Sequence, residues 1–414
     1  MADAASSRQR RWLVGLTEYA GVTDYTGGIG THFAALLPAL ARRGIAVDLV
    51  LFVDTPTVPD ALVDGVRVIT IRNLTRRMPA LAMLERALRF RRAAAAFEYD
   101  AVFLPEWAAL AAALPARAPL VTNLATGIRL GDWIAGRRNR DFAPRLRFAR
   151  WVQDVFETRQ IRRSQGLVSI STAVTRWNRT FIDHLPPAAI VRNCVDVEQI
   201  RRLSQTSDLP VHWPTDDGMG SPIVLFVGRL ERRKGVVVMM AAFAKVLERH
   251  PSARLVLAGA SGDRLFEPTR PQLLDEVARR YRAQVTFLGH LAGPELFAAM
   301  QAADVVACPS LWEGFGNVAL EVKAAGSALV VTTGSGYDDF CRSEGDCLMV
   351  APGDAPALAD AINRLLGSAE LGERLVDVAS ASLDRFTPDA VAADLVGVVD
   401  ALLRSPASTP RRRT

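Results

Sequence analysis

Cysteine and histidine are scarce in this chain, four and five residues among 414. The thiols Cys194, Cys308, Cys341 and Cys347 are scattered, which argues against both a disulfide framework and a metal-ligand spacing. Cys341 and Cys347 lie six apart without a histidine beside them, a poor zinc pattern. Long apolar runs are missing too. No stretch approaches ~18 uncharged apolar residues, which excludes a bilayer-spanning helix. The opening MADAASSRQRR is polar and lacks the apolar centre of a secretory leader. Nor is there an excess of one charge: 50 Lys+Arg against 44 Asp+Glu leaves +6. That surplus is mostly arginine and is not interleaved with a nucleic-acid recognition module. The expectation is a reduced cytoplasmic protein with no structural metal, no bound cofactor and no nucleic-acid partner.

What the chain does have is apolar residues, 50% of the total, enough for a large core. Its length suggests two or three domains. Strand-like runs alternate with helix-length segments, the pattern of parallel α/β sheets. In the first half the runs are 12–16, 46–52, 66–71, 101–104, 120–122 and 166–170. In the second they are 223–227, 254–258, 285–288, 305–308, 328–332 and 347–350. Each half therefore holds enough strands for one doubly wound sheet. The segment 208–222 is rich in Pro, Gly and Asp and reads as a linker, and the tail 405–414 as disordered. Two such domains would face each other across a cleft suited to a small molecule.

Four segments carry chemistry. In Glu313-Gly-Phe-Gly-Asn-Val-Ala-Leu-Glu321 the first carboxylate sits in a strand-to-helix loop, and the second about one turn into a helix over Asn317–Ala325. Bare amides at that helix start suit an anion, and the carboxylates suit hydroxyls. Val227-Gly-Arg-Leu-Glu-Arg-Arg-Lys-Gly235 places Arg229 and Lys234 between a strand and a helix starting near Val236. It reads either as a diphosphate clamp or as a solvated basic loop. In Asp24-Tyr-Thr-Gly-Gly-Ile-Gly-Thr-His32, Gly27, Gly28 and Gly30 would let backbone approach a phosphate, ahead of a helix from Phe33 to Arg42. The spacing is not G-x-G-x-x-G, so a dinucleotide site is poorly supported. Finally, Asn193 and Asp196 bracket a turn that reads as structural.

Taken in order with Phe287-Leu-Gly-His290, these motifs resemble the retaining glycosyltransferases of family 4, and the resemblance covers nearly the whole chain. It implies the GT-B fold, with two doubly wound Rossmann-like domains facing across a cleft. An acceptor-binding domain would span 1–200 and a nucleotide-sugar domain 201–385, with a C-terminal helix at 386–404 packing back on the first. The implied activity is metal-independent transfer of a sugar, with retention, from a nucleoside-diphosphate sugar to a hydroxyl of a small-molecule or glycan acceptor. No cofactor is implied; the sugar nucleotide is a co-substrate. Arg229 and Lys234 would hold the diphosphate and Glu313 the sugar hydroxyls. Amides from Phe315, Gly316, Asn317 and Val318 would contact sugar and phosphate, and Glu321 the ribose. His290 and Leu291 would border the base, and Gly28 would close on the phosphates. A sugar-nucleotide hydrolase or epimerase of the same fold, a transferase acting on a lipid, and a non-catalytic binder are the alternatives.

The sequence departs from the family where many members carry a histidine after the strand near 119–124. Ala125 stands there, with Asn123 and Thr126 as its polar neighbours; His32 is a weak substitute. For the acceptor, Glu18, Tyr19, Asp24, Tyr25, Glu106, Trp107, Arg129, Asp132 and Trp133 are candidates, with Glu106 and Asp132 cast as ligands of a cationic or polyhydroxylated molecule. Residues 136–165 are rich in arginine and interleaved with Leu146, Phe148, Trp151, Val155, Phe156 and Ile161. Peripheral membrane contact is one reading. The favoured one packs the apolar face on the sheet and leaves the arginines in water.

Overall fold

Continuous apolar runs in a chain of this kind become central strands of parallel sheets, because helices cover both faces. A computed structural model, describing residues 8–23, 27–54, 61–74, 78–214, 220–263 and 266–404, realises that pattern twice. Asp24, Tyr25 and the tail 405–414 lie outside the described residues, as does 215–219 of the 208–222 segment.

The chain divides into two compact units. One comprises residues 1–133, 137–194 and 388–414, the other 134–136 and 195–387. The change of unit falls at Cys194/Val195, and segment 208–222 runs within the second unit.

In the first unit the strands are β1 (Arg11–Leu16), β2 (Ala46–Val53), β3 (Ala61–Val63), β4 (Val66–Arg72), β5 (Ala101–Pro105), β6 (Leu120–Leu124), β7 (Gly166–Ser169) and β8 (Ala188–Ile190). Its helices are α1 (Gly28–Arg42), α2 (Pro79–Ala94), α3 (Ile128–Ile134), α4 (Pro144–Arg163) and α5 (Thr172–Phe181). The sheet order is β3-β4-β2-β1-β5-β6-β7-β8, parallel except for the edge strand β3.

The second unit holds β9 (Ile223–Val227), β10 (Arg254–Ala258), β11 (Val285–Gly289), β12 (Val305–Cys308), β13 (Leu329–Thr332) and β14 (Leu348–Val350). Around them lie α6 (Val197–Thr206), α7 (Val236–Arg249), α8 (Arg270–Leu274), α9 (Gly293–Ala302), α10 (Asn317–Ala325), α11 (Ala355–Leu366) and α12 (Ala369–Ala381). Its order is β11-β10-β9-β12-β13-β14, all parallel. That is the doubly wound order, which reverses between β9 and β12. The last helix, α13 (Pro388–Arg404), returns to the first unit and packs on α1, where Val391, Leu395 and Val399 join the core of Trp12, Phe33 and Phe103.

All twelve runs read from the sequence are strands, to within two residues at either end. The three-residue strands β3 and β8 were not among them. Helix α1 begins at Gly28, five residues before the start at Phe33 read from the sequence. It starts there because the Glu18 carboxylate accepts from Gly27 N–H at 3.0 Å and Gly30 N–H at 2.8 Å, doing the work of a cap. Asp196 caps α6 by accepting from Gln199 N–H at 2.9 Å, so the Asn193–Asp196 turn has a structural role.

The helix α4 overturns the favoured reading of 136–165. Its buried residues are Ala149, Glu157, Gln160 and Ile161, while Leu146, Phe148, Trp151 and Val155 are exposed. The buried polar pair answers a backbone need. A 3-10 turn at Trp107–Ala113 carries positive φ at Ala108 and Ala109, which leaves amides without ladder partners. Glu157 accepts from Ala108 N–H at 3.2 Å and from Ile128 N–H at 2.7 Å, and Gln160 accepts from Ala111 N–H at 3.0 Å. No described helix is long and apolar enough to cross a membrane.

Candidate active site

Ligands of doubly wound domains bind beyond the carboxyl ends of the strands, where the strand order reverses. In the second unit that point is flanked by the loops after β9 and β12, which carry Gly228–Gly235 and Pro309–Gly316. Each loop ends in a glycine with positive φ, Gly235 at 77° and Gly316 at 102°. Both positions are also too crowded for a side chain. A Cβ on Gly235 would lie 1.9 Å from the Pro309 carbonyl oxygen, and one on Gly316 2.2 Å from the Tyr337 ring. Leu311 N–H donates to the Arg233 carbonyl at 2.8 Å, so the two loops are stitched together.

Beyond these glycines start α7 and α10, and neither helix has a side-chain cap at its N-terminus. Two helix starts therefore present positive potential at the same crevice. Lys234 and Glu313 meet there, Nζ to Oε1 at 2.5 Å, and Ser310 Oγ donates to the same oxygen at 2.8 Å. Burial alone would raise the Glu313 pKa; the charges of Lys234 and Arg233 outweigh it and hold the carboxyl below its ordinary value. Arg229 pairs with the buried carboxylate of Glu231, which Arg233 also engages at 2.6 Å.

Phe315 is buried against Phe340, ring centroids 4.7 Å apart, so what it can offer a ligand is backbone. Asn317 and Val318 form the first turn of α10, and Glu321 stands one turn on. Glu321 has no hydrogen-bond or ion-pair partner among the described residues, and burial pushes its pKa up to about 7. His290 and Leu291 follow β11, the edge strand two places from β9, with His290 exposed. Structure thus brings Lys234 and Glu313 into contact, sets Arg229 on the same loop, and puts Phe315–Glu321 on the facing one. Sequence reasoning missed Glu231, Arg233, Ser310 and Tyr337. The run Glu231-Arg-Arg-Lys234 signalled the first two; Ser310 and Tyr337 carry no local signal.

Gly27, Gly28 and Gly30 belong to the first unit, and the Gly27 and Gly30 amides are already taken by Glu18. His32 is buried, and its Nδ1 accepts from Cys194 N–H at 3.2 Å; burial lowers its pKa to about 4. It serves as a packed tie and is not open to a ligand. Ala125 is buried, with its N–H on the Glu106 carboxylate at 2.8 Å. Asn123 is also buried and donates to the Val168 carbonyl, which leaves Thr126 as the partly exposed polar side chain beside that position. The acceptor candidates change accordingly. Glu106 and Tyr19 are buried, and Asp132 is paired with Arg150, whereas Trp107 and Trp133 are exposed. Cys341, Asp346 and Cys347 come together within 4.8 Å, but the Lys323 ammonium occupies Asp346 at 2.9 Å, which opposes a cation there.

Comparison with known proteins bears on the family and the fold. The family described as Glycosyl transferases group 1 matches residues 221–368, and Glycosyl transferase 4-like domain matches residues 27–194. Between them the two matches take in both units. This chain is a group 1 glycosyltransferase of the GT-B fold.

The enzyme is 27% identical to a glycogen synthase of Mycobacterium tuberculosis over 88% of its own length and 87% of that protein. An uncharacterized glycosyltransferase of Methanocaldococcus jannaschii is 35% identical over 177 residues, where this glycosyltransferase spans only 44% of that relative and 42% of itself is matched. Among solved structures, sucrose-phosphate synthase from Thermosynechococcus elongatus superposes with a TM-score of 0.74 at 20% identity, covering 96% of this chain and 100% of that one. HepE of Anabaena, solved in complex with UDP-glucose, gives 0.65 at 18%, covering 94% and 99%.

Proposed function

We propose that this glycosyltransferase takes a sugar from a nucleoside-diphosphate donor and transfers it, with retention and without a metal ion, to a hydroxyl of a polar small molecule or glycan. The carrying observation is the pair of uncapped helix starts, α7 and α10, converging with Arg229 and Lys234 where the strand order reverses. As the donor bond breaks, negative charge grows on the outer phosphate. Two fixed helix starts oppose it with little reorganisation, the form of catalysis that contributes most in dry sites, and the two cations add to them. In this reading Lys234 leaves Glu313 for the phosphate, and Glu313 accepts from the donor-sugar hydroxyls. Glu321, half-buried and without a partner among the described residues, accepts from the ribose. Backbone of Phe315–Val318 lines the phosphate, and His290–Leu291 border the base. HepE's capture with UDP-glucose supports beginning the donor search with uridine nucleotides.

A thermal-shift panel of UDP, GDP, ADP and their glucose conjugates on the purified protein tests the donor reading. One nucleoside diphosphate should raise the midpoint in the presence of EDTA, and Arg229→Ala with Lys234→Ala should abolish the rise. No shift across the panel would overturn it. For the nucleotide that binds, sugar transfer is then separated from simple hydrolysis by whether release of the diphosphate depends on an added acceptor.

A further inference from the structure

Soluble helices turn apolar residues inward; α4 keeps Ala149 and Ile161 inside but turns Phe148, Trp151 and Val155 outward. Gln160 is 0% exposed on its buried face, while Phe148 is 59% and Trp151 56% exposed on its outer one. Phe148, Trp151 and Val155 follow one another at i, i+3 and i+7 and so form a single stripe. The Phe148 and Trp151 rings lie 5.9 Å apart. Arg159 and Arg162 continue the same line, and Arg145 and Arg147 flank Phe148 at roughly 60–100° to either side. Among the described residues, Arg145, Arg147 and Arg162 have no carboxylate partner. The acids of α4 are spent elsewhere: Asp154 pairs with Arg129 at 2.5 Å, and Glu157 is buried on backbone amides.

We propose that the outer face of α4 docks on an anionic lipid surface. Aromatic side chains would enter the interfacial layer and the arginines would meet lipid phosphates. Charge decides the occupant. A second copy docking by two-fold symmetry would lay the Arg145–Arg147 rim against a rim of its own sign. An anionic bilayer meets every one of those charges with the opposite one, and its acyl region accepts Phe148, Trp151 and Val155. The inference goes beyond the donor site and does not depend on it.

Sedimentation of the full chain with vesicles of phosphatidylcholine alone, and of equal parts phosphatidylcholine and phosphatidylglycerol, tests it at low and moderate salt. Binding is expected on the anionic vesicles only, weakening as salt screens the arginines. Phe148→Ser with Trp151→Ser should reduce the bound fraction at least tenfold, and Arg145→Gln with Arg147→Gln should flatten the salt response. These side chains are exposed, so the unfolding midpoint should be unchanged in both variants, which reports that they are folded. Three results would overturn the proposal: no binding to anionic vesicles at low salt, binding undiminished by the aromatic variant, or self-association in sedimentation velocity that this variant abolishes. Equal binding of single-stranded RNA to the same face would overturn it as well.

Discussion

Replacing Lys234 with methionine strands the Glu313 carboxylate in a place nearly closed to water. The two side chains are 19% and 12% exposed, and the pair is made at 2.5 Å. Breaking one partner out of such a buried pair costs about 3–5 kcal/mol, because a charge stays behind without its counter-ion. Ser310 still donates to Glu313, and Arg233 still faces it, which puts the expected loss near the lower end, about 3 kcal/mol. In a unit of this size each kcal/mol moves the unfolding midpoint by roughly 2–4 °C, so a drop of about 6–12 °C is expected. Glu313→Gln should cost less, since the flexible lysine stem can carry its ammonium toward water. Lys234→Met with Glu313→Gln should recover to within about 1 kcal/mol of the parent, yet respond to no nucleotide diphosphate. Acid adds a second signature. The folded pKa of Glu313 lies below its unfolded value, so its contribution is complete above the unfolded value and lost as pH falls through the folded one. Lys234→Met should lack that acid-side loss. The assay is thermal unfolding of the four proteins, with and without nucleotide, across acidic and neutral pH. A single variant that loses less than about 1 kcal/mol, or a double variant no better than the single, would refute the coupling.

Three further outcomes are expected. Donor affinity should rise as pH passes upward through about 7, because hydroxyl groups donate to ionised Glu321; Glu321→Gln should remove that dependence in isothermal titration. Glu106 and Glu157 are pushed by burial to about 7 and about 8 in the folded protein, so the first unit binds more protons folded than unfolded between their unfolded values and those. Its stability should therefore fall as pH rises across that window, by about 1.4 kcal/mol per pH unit for each of the two protons, and Glu157→Gln should roughly halve the slope in chemical denaturation. Gly235→Ala should lower the second unit's midpoint and weaken nucleotide binding together, since its Cβ meets the Pro309 carbonyl at 1.9 Å in a left-handed backbone; a loss of affinity with stability intact would contradict this.

Strands buried on both faces need no alternation, so β9, β12 and their neighbours stand out as plain apolar runs. Motif positions were legible for the same reason, since Arg229, Lys234 and Glu313 abut such runs. What could not be read were contacts across long separations. Lys234 and Glu313 are 79 residues apart, and their pairing depends on β9 and β12 being neighbours. Glu18 on the Gly27 and Gly30 amides is a tertiary cap that no local rule announces. The inversion of α4 escaped for a physical reason too. Amphipathic reading assumes apolar residues face inward, whereas here a strained 3-10 turn demands acceptors and draws Glu157 and Gln160 inside.

The return of α13 has a consequence for how the protein is made. Val391, Leu395, Val399 and Leu402 belong to the core that surrounds Trp12 and Phe33, yet they leave the ribosome after every residue of the second unit. The sheet translated first must wait, its apolar surface uncovered, while the later unit folds and is finished. Growing chains are thus exposed to aggregation for most of their synthesis, and a stop codon shortly before Pro388 would leave the second unit whole and the first open.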